Sequence, residues 1–240
     1  KLDTGMHRLG FVTEELQELQ EFLQDCRYVR VKSVYSHLAA ADDPENDDFT
    51  LGQIDLIKTN ADRLTESLGY KPMYHILNSA GIERFAQYQF DMVRLGIGIY
   101  GVSAIPGVQL SPVASFKCKV LQIKTLNPGD GTIGYGRKGK IAPEGTVIAT
   151  IPVGYADGLD RHLSRGEAFF SVNGKRVPTI GNICMDMTML DLTGVDAEVG
   201  DTVTIFGEDP TISELASILG TIPYEILTSV PRRIERVIVK

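Results

Sequence analysis

The sequence predicts an α/β segment followed by a mostly antiparallel β domain, and three observations predict it. Through residues 1–105, short apolar runs alternate with stretches of helical periodicity, as parallel βα units require. Through residues 106–240, strand-like runs follow one another across glycine turns, and a single helical stretch intervenes. The chain of 240 residues is 43% hydrophobic, enough to bury one large core or two smaller ones.

The α/β elements follow in order. KLDTG (1–5) ends a first strand. Thr13 is suited to cap a helix, with Glu14 and Glu15 complementing the dipole of its first turn and Leu16, Leu19, Phe22, Leu23 and Cys26 forming its apolar face. VRVKSVYSHLA (29–39) is the next strand, and the acidic segment ADDPENDDF reads as a loop. A helix from about Gly52 to Leu68 puts Ile54, Ile57, Ala61, Leu64 and Leu68 on one face. YHILNSAG (74–81) is a third strand, IERFAQY a short helix and MVRLGIGIYG (92–101) a fourth strand, in which Val93, Leu95, Ile97 and Ile99 alternate.

In the β domain the strand candidates are VASFKCKVLQIKTL, TVIATIPVGY, AFFSVNGKRVPTIG, ICMDMTMLDL and DTVTIFG. Asn173-Gly174 is a hairpin signal. Only TISELASILG reads as helix, closed by Gly220.

A net charge of -7 and a sequence pI near 5.2 argue against a nucleic-acid partner and against an anionic membrane surface. No apolar run approaches the ~20 residues of a membrane span. Cys26, Cys118 and Cys184 are an odd number without a CxxC pair, which suits free thiols in a reducing cytoplasm. No metal site is expected. The chain opens mid-strand without a signal peptide, as part of something longer would.

Arg94 is out of place in an apolar strand. A guanidinium does not deprotonate in a protein, so it either faces solvent or meets a group rich in acceptors. Asp3, Arg8, His37, Asn78, Ser79 and Arg94 all fall at or just beyond the C-terminal ends of the four α/β strands. In a βα barrel that rim is where chemistry is built, and the loops after the last strands often hold a phosphate. Asn78-Ser79 and Gly96-Ile97 suit that task, and they suit ordinary turns equally well.

KLDTGMHRLGF, YSHLAAAD, LNSAG, MVRLGIGIYG, GYGRKG, PVGYADGLDR and GNICMDMTMLDL, in that order, resemble the bacterial alanine racemases over essentially the whole chain. The resemblance implies a TIM-like (β/α) barrel that carries pyridoxal phosphate, followed by a β domain, in a head-to-tail homodimer acting on alanine in the cytoplasm. It also implies that these 240 residues hold the second half of the barrel. The family's cofactor lysine lies in a PxxKxNAYGHG-like motif on the first barrel strand, and no such motif occurs here. The chain alone is then expected to be inactive.

The resemblance assigns roles residue by residue. Arg94 matches the arginine that hydrogen-bonds the pyridine nitrogen, where it disfavours a positive ring; His37 would hold that guanidinium, and Tyr35 falls beside the site. Asn78, Ser79, Gly96 and Ile97 match the phosphate cradle. Tyr135 matches the catalytic tyrosine, which exchanges a proton on one face of the substrate while the lysine serves the other. A phenol near its ordinary pKa of ~10 is a poor base, and His37 with Arg94 would assist it. Tyr155, Met185 and Asp186 match substrate-contacting positions that come from the neighbouring subunit. Arg8 matches the arginine that meets the substrate carboxylate, and Lys1 a lysine that many members carry as a carbamate, which would pair with Arg8. The family's RVPR is RIER here (Arg233–Arg236), and Arg232 stands where some members have a phosphate-binding tyrosine. Two other readings are a racemase of broader amino-acid specificity and a non-catalytic dimerisation portion of a ligase–racemase fusion.

Overall fold

A computed structural model describes residues 1–239. It divides into two units, Lys1–Leu110 and Ser111–Lys240.

In the first unit, α1 (Leu16–Asp25) precedes β1 (Ser33–Tyr35), and α2 (Asp47–Leu68) leads to β2 (Met73–His75) and α3 (Ser79–Arg84). β1 and β2 are parallel, with Tyr35 opposite His75. The 1–5 segment joins β1 through Leu2 N–H donating to the Tyr35 carbonyl at 2.8 Å. Ile54, Ile57, Ala61 and Leu64 of α2 are buried against Leu2, Val34, Ile76 and Leu77, as the helical spacing requires.

Four expectations in this unit are corrected. The acidic segment ADDPENDDF (41–49) is loop only as far as Asp43: Asp43 accepts from Glu45 N–H, Pro44 opens a 3-10 turn, and α2 begins at Asp47. The acidic residues there sit at a helix N-terminus, where the dipole favours them. MVRLGIGIYG forms no strand. Arg94 N–H reaches the Leu77 carbonyl at 2.9 Å, but Ile97–Tyr100 is a 3-10 turn. The glycines that looked like part of a β alternation send their N–H groups to a side chain instead. Thr13 is not the cap, because Glu15 accepts from Val12 N–H and the Thr13 hydroxyl accepts from Asn60. Phe22 is exposed, and Leu16 with Leu19 makes the packing of α1.

The second unit holds β3 (Phe116–Lys119), β4 (Gln122–Leu126), β5 (Thr132–Ile133), β6 (Gly139–Lys140), β7 (Thr146–Ile151), β8 (Phe169–Val172), β9 (Lys175–Pro178), β10 (Thr188–Asp191), β11 (Thr202–Phe206), α4 (Ile212–Leu219) and α5 (Pro223–Ser229). All its pairings are antiparallel: β10-β7-β4, β3-β11-β8-β9 and the short hairpin β5-β6. Phe170, Ile151, Leu190, Val203 and Ile205 centre the core. The Asn173-Gly174 turn joins β8 to β9 with φ of 49° and 74°.

α5 was not expected; Pro223 opens it, with its ring where no N–H is needed. The residues 183–187 form a tight loop rather than a strand, closed by Cys184 N–H on the Met187 carbonyl at 2.9 Å. Among the described residues no helix is long and apolar enough to cross a membrane.

Candidate active site

Arg94 meets acceptors. Its Nη2 donates to the Ser36 carbonyl at 2.7 Å, to the Ile76 carbonyl at 3.3 Å and to His37 Nδ1 at 3.0 Å, while Nη1 donates to His75 Nδ1. An arginine only donates, so both imidazoles present a Nδ1 lone pair and carry their proton on Nε2. Burial, then the Arg94 charge, lowers the pKa of both histidines; Arg8 and Lys1 add to the effect at His37. Both are therefore neutral near pH 7. No carboxylate among the described residues pairs with Arg94, and its Nε–H is left free of these contacts.

His75 escaped the sequence reading. Its place follows from β-sheet register: it lies opposite Tyr35, so the two rings share a face and stack at 4.9 Å and 7°. Arg94 lies over the same Tyr35 ring, 5.2 Å from its centroid.

Gln53, fully buried on α2, also escaped. Its Oε1 accepts from Ala39 N–H at 2.9 Å and its Nε2 donates to the His37 carbonyl at 3.2 Å. One side-chain amide thus pairs with the backbone on both sides of Leu38 and fixes the loop that presents His37. A glutamine at a core-facing helix position was the available signal.

A second cluster joins the start of α3 to the 96–98 turn. Asn78 caps α3 by accepting from Gly81 N–H at 2.9 Å. The buried Ser79 hydroxyl accepts from Gly96 N–H at 2.9 Å and Gly98 N–H at 3.2 Å. Two backbone donors thus converge on the one side-chain oxygen and draw the 96–98 turn against the start of α3. A Cβ on Gly98 would stand 2.8 Å from Leu95 Cδ1, the end of an exposed side chain that can turn aside. These residues fit pyridoxal phosphate: the Ser79 hydroxyl keeps its own proton for a phosphate oxygen while it accepts from Gly96 and Gly98, and Arg94 offers a guanidinium N–H for an aromatic nitrogen. Arg8 is exposed and Lys1 half-buried on the neighbouring 1–10 segment.

The expected residues of the second unit gather on the 181–187 segment. Tyr155 N–H donates to the Cys184 carbonyl at 3.0 Å, and Ala156 N–H to the Met185 carbonyl at 2.8 Å. Gly154 makes this approach possible: a Cβ there would lie 2.3 Å from the Cys184 oxygen. Asp157, buried under the same turn, accepts from Gly154 N–H and from Arg233 Nη2 at 2.6 Å. Arg236 donates to the carbonyls of Val230, Pro231 and Ile234. Two of the RIER positions thus brace the Tyr155 turn and the end of α5, and Arg232 is exposed.

Tyr135 sits at the tip of the β5-β6 hairpin, 72% exposed, and its hydroxyl has no partner among the described residues of its unit. Tyr135 and Tyr155 line one open cavity of about 890 Å³ with Arg161, His162, Cys184 and Glu225. Met185 and Asp186 are exposed beside Tyr155. Among the described residues no group of three or more His, Cys, Asp or Glu could hold a metal ion.

Parallel βα units whose Ser79 hydroxyl and Arg94 guanidinium suit a phosphate and a pyridine nitrogen, followed by an antiparallel β domain, are the features of one class of pyridoxal-phosphate protein. Comparison with known proteins is specific. Residues 1–104 match the family described as alanine racemase, N-terminal domain, and residues 113–238 match alanine racemase, C-terminal domain. The chain belongs to the alanine racemase family, and its units are the second half of the barrel and the β domain of that fold.

The alanine racemase of Chlorobaculum tepidum is 40% identical over 100% of this chain and 63% of its own length. That of Cutibacterium acnes is 40% identical over 98% of this chain and 64% of its own. Among solved structures, the alanine racemase of D-cycloserine-producing Streptomyces lavendulae superposes with a TM-score of 0.89 at 32% identity, covering 99% of this chain and 65% of that one. The Bartonella henselae enzyme with covalently bound pyridoxal phosphate gives 0.83 at 32% identity, over 98% and 64%. The chain thus spans a little under two thirds of the length of these relatives.

Proposed function

We propose that this chain is part of a pyridoxal-phosphate-dependent alanine racemase, which interconverts L- and D-alanine for cell-wall peptide in the cytoplasm. The observation that carries the reading is the Arg94 socket: a guanidinium fixed by two carbonyls and two neutral imidazoles, with no carboxylate among the described residues.

When bound, pyridoxal phosphate supplies the electron sink that makes the amino-acid Cα acidic. The chain's own residues do the rest. Ser79, Asn78, Gly96 and Ile97 hold the phosphate. Arg94 would donate a hydrogen bond to the pyridine nitrogen without giving it a proton, which would disfavour a positive ring and keep the electron sink moderate. His37, His75 and Tyr35 keep Arg94 in place. Arg8, with Lys1 beside it, orients the substrate carboxylate. Tyr135 moves the Cα proton on one face; Tyr155, Met185 and Asp186 bound the substrate. Tyr135 and Tyr155 act on the site of the other copy in a head-to-tail homodimer. The base for the second face is the family's lysine, from a motif outside these residues.

A racemisation assay on the full-length, cofactor-loaded protein with a panel of amino acids tests this. Alanine should be racemised fastest, by a wide margin. Equal rates on larger amino acids would replace the reading with a broad-specificity racemase, and no turnover with any would leave a non-catalytic role.

A further inference from the structure

We propose that Asn182 is a positioning residue for Tyr135: its buried amide holds the tip of the tyrosine hairpin through the Tyr135 carbonyl. This rests on the reading of Tyr135 as the proton-transferring group.

The exposed ring of Tyr135 has little packing to hold it, and it stands between Gly134 and Gly136, the two residue positions least able to hold it by themselves. Its backbone must therefore be fixed from outside. Asn182 does this with a side chain only 5% exposed. Its Nδ2 donates to the Tyr135 carbonyl at 2.8 Å, and its Oδ1 accepts from Arg165 Nε at 2.8 Å. The amide is thus engaged at both ends and cannot rotate without breaking both bonds.

The segment bearing Asn182 is itself pinned. Arg165 N–H donates to the Gly181 carbonyl at 3.0 Å, and Ile183 N–H to the Ser164 hydroxyl at 2.9 Å. Left-handed backbone gathers on both sides of the brace: Gly134 (φ 72°), Gly136 (66°), Arg137 (54°), Arg165 (62°) and Gly181 (69°). Two of these five are arginines, which rarely adopt that conformation. The three glycines take it at no steric cost, whereas Arg137 and Arg165, one on each side of the brace, are held in it by their surroundings. Arg165 therefore grips this segment twice, through its backbone N–H on Gly181 and through its Nε on the far end of the Asn182 amide.

The test reads solvent deuterium exchange at Cα of L- and D-alanine in the full-length, loaded protein. A misplacement of the base by about 1 Å can cost ~10²-fold. Asn182→Ala should therefore lower exchange of the enantiomer served by Tyr135 by at least ~10-fold and leave the other within a few-fold. Asn182→Asp keeps the acceptor for Arg165 but loses the donor, so it should fall as far as alanine does. A parallel loss with both enantiomers, or normal exchange by Asn182→Asp, would overturn the proposal. Should Asn182→Ala not fold, Arg165→Ala removes the exposed end of the brace, and it must show the same one-sided loss; equal effects on both enantiomers would overturn the proposal as well. Tyr135→Phe is run alongside. If it is one-sided and Asn182→Ala is not, only the positioning role fails. If Tyr135→Phe is itself symmetric, the reading of Tyr135 fails and this one falls with it.

Discussion

Arg94 Nη2 and His37 Nδ1 lie 3.0 Å apart, and the bond between them fixes the protonation of both. A guanidinium that can only donate forces the imidazole to accept, which keeps His37 neutral at its Nδ1. The same logic applies to His75 on the other side. The socket thus holds a cation that pairs with no carboxylate among the described residues.

Arg94→Glu reverses this. A carboxylate would face the Ser36 and Ile76 carbonyls, acceptor against acceptor, and would be able to protonate the pyridine nitrogen. In the full-length enzyme racemisation should drop by about 10²-fold, the scale of losing one preorganised donor. The visible spectrum of the bound cofactor should change on adding alanine. Stopped-flow absorbance checks both; an unchanged rate and spectrum would remove the electronic role of Arg94.

The histidines also make a pH prediction. Burial and then Arg94 hold the pKa of His37 and His75 below the ordinary histidine value. Between the lowered folded values and ~6.5 the unfolded chain binds more protons than the folded one, so stability rises with pH through that window. The contribution is complete above it and is lost as the pH falls through the folded values. Urea midpoints at pH 7.5 and pH 5 should differ more in the native protein than in His37→Asn/His75→Asn. Equal differences would mean that the two imidazoles do not carry the effect.

Two glycine substitutions should move stability in opposite directions. Gly154 has φ of -143°, which any residue accepts, but a Cβ there would stand 2.3 Å from the Cys184 oxygen and 2.5 Å from the Met185 oxygen. Gly154→Ala must separate the Tyr155 turn from the 184–185 backbone, at a cost of about 1–3 kcal/mol or more. Gly52 lies inside α2, and a methyl added there would meet nothing within 4 Å, so Gly52→Ala should stabilise by about 0.5–1 kcal/mol. Denaturant titration reads both; a neutral Gly154→Ala would show that the close approach is not constraining.

Much of this site was legible one residue at a time. An arginine in an apolar run demanded acceptors, and it has them. Asn78-Ser79 and Gly96 stood out as turn chemistry near strand ends, and Gly96 N–H donates to the Ser79 hydroxyl. The residues that were not legible act through pairing. His75 matters because β1 and β2 are in parallel register, which puts it beside Tyr35 and Arg94. Gln53 and Asn182 look like ordinary polar residues until their amides are seen to pair with backbone. The fourth strand failed for a related reason: period-2 alternation in MVRLGIGIYG resembles a β pattern, but the fate of the Gly96 and Gly98 N–H groups decided the conformation, and Ser79 accepts both. α5 was missed because seven residues are too few to establish a helical period.

The hydroxyl of Tyr135 offers the most direct test. Tyr135→Phe removes one oxygen from a ring that is 72% exposed and leaves the hairpin and the Asn182 bond to its carbonyl in place. In the full-length, cofactor-loaded protein, deuterium exchange at Cα should be followed for each enantiomer separately. One-sided loss is expected: D-alanine keeps exchanging with solvent faster than it racemises, while L-alanine exchange falls by about 10²–10⁴-fold, the range of a lost general base. Equal exchange of both enantiomers in Tyr135→Phe would contradict a proton-transferring role and would reduce the glycine-flanked tyrosine to a turn.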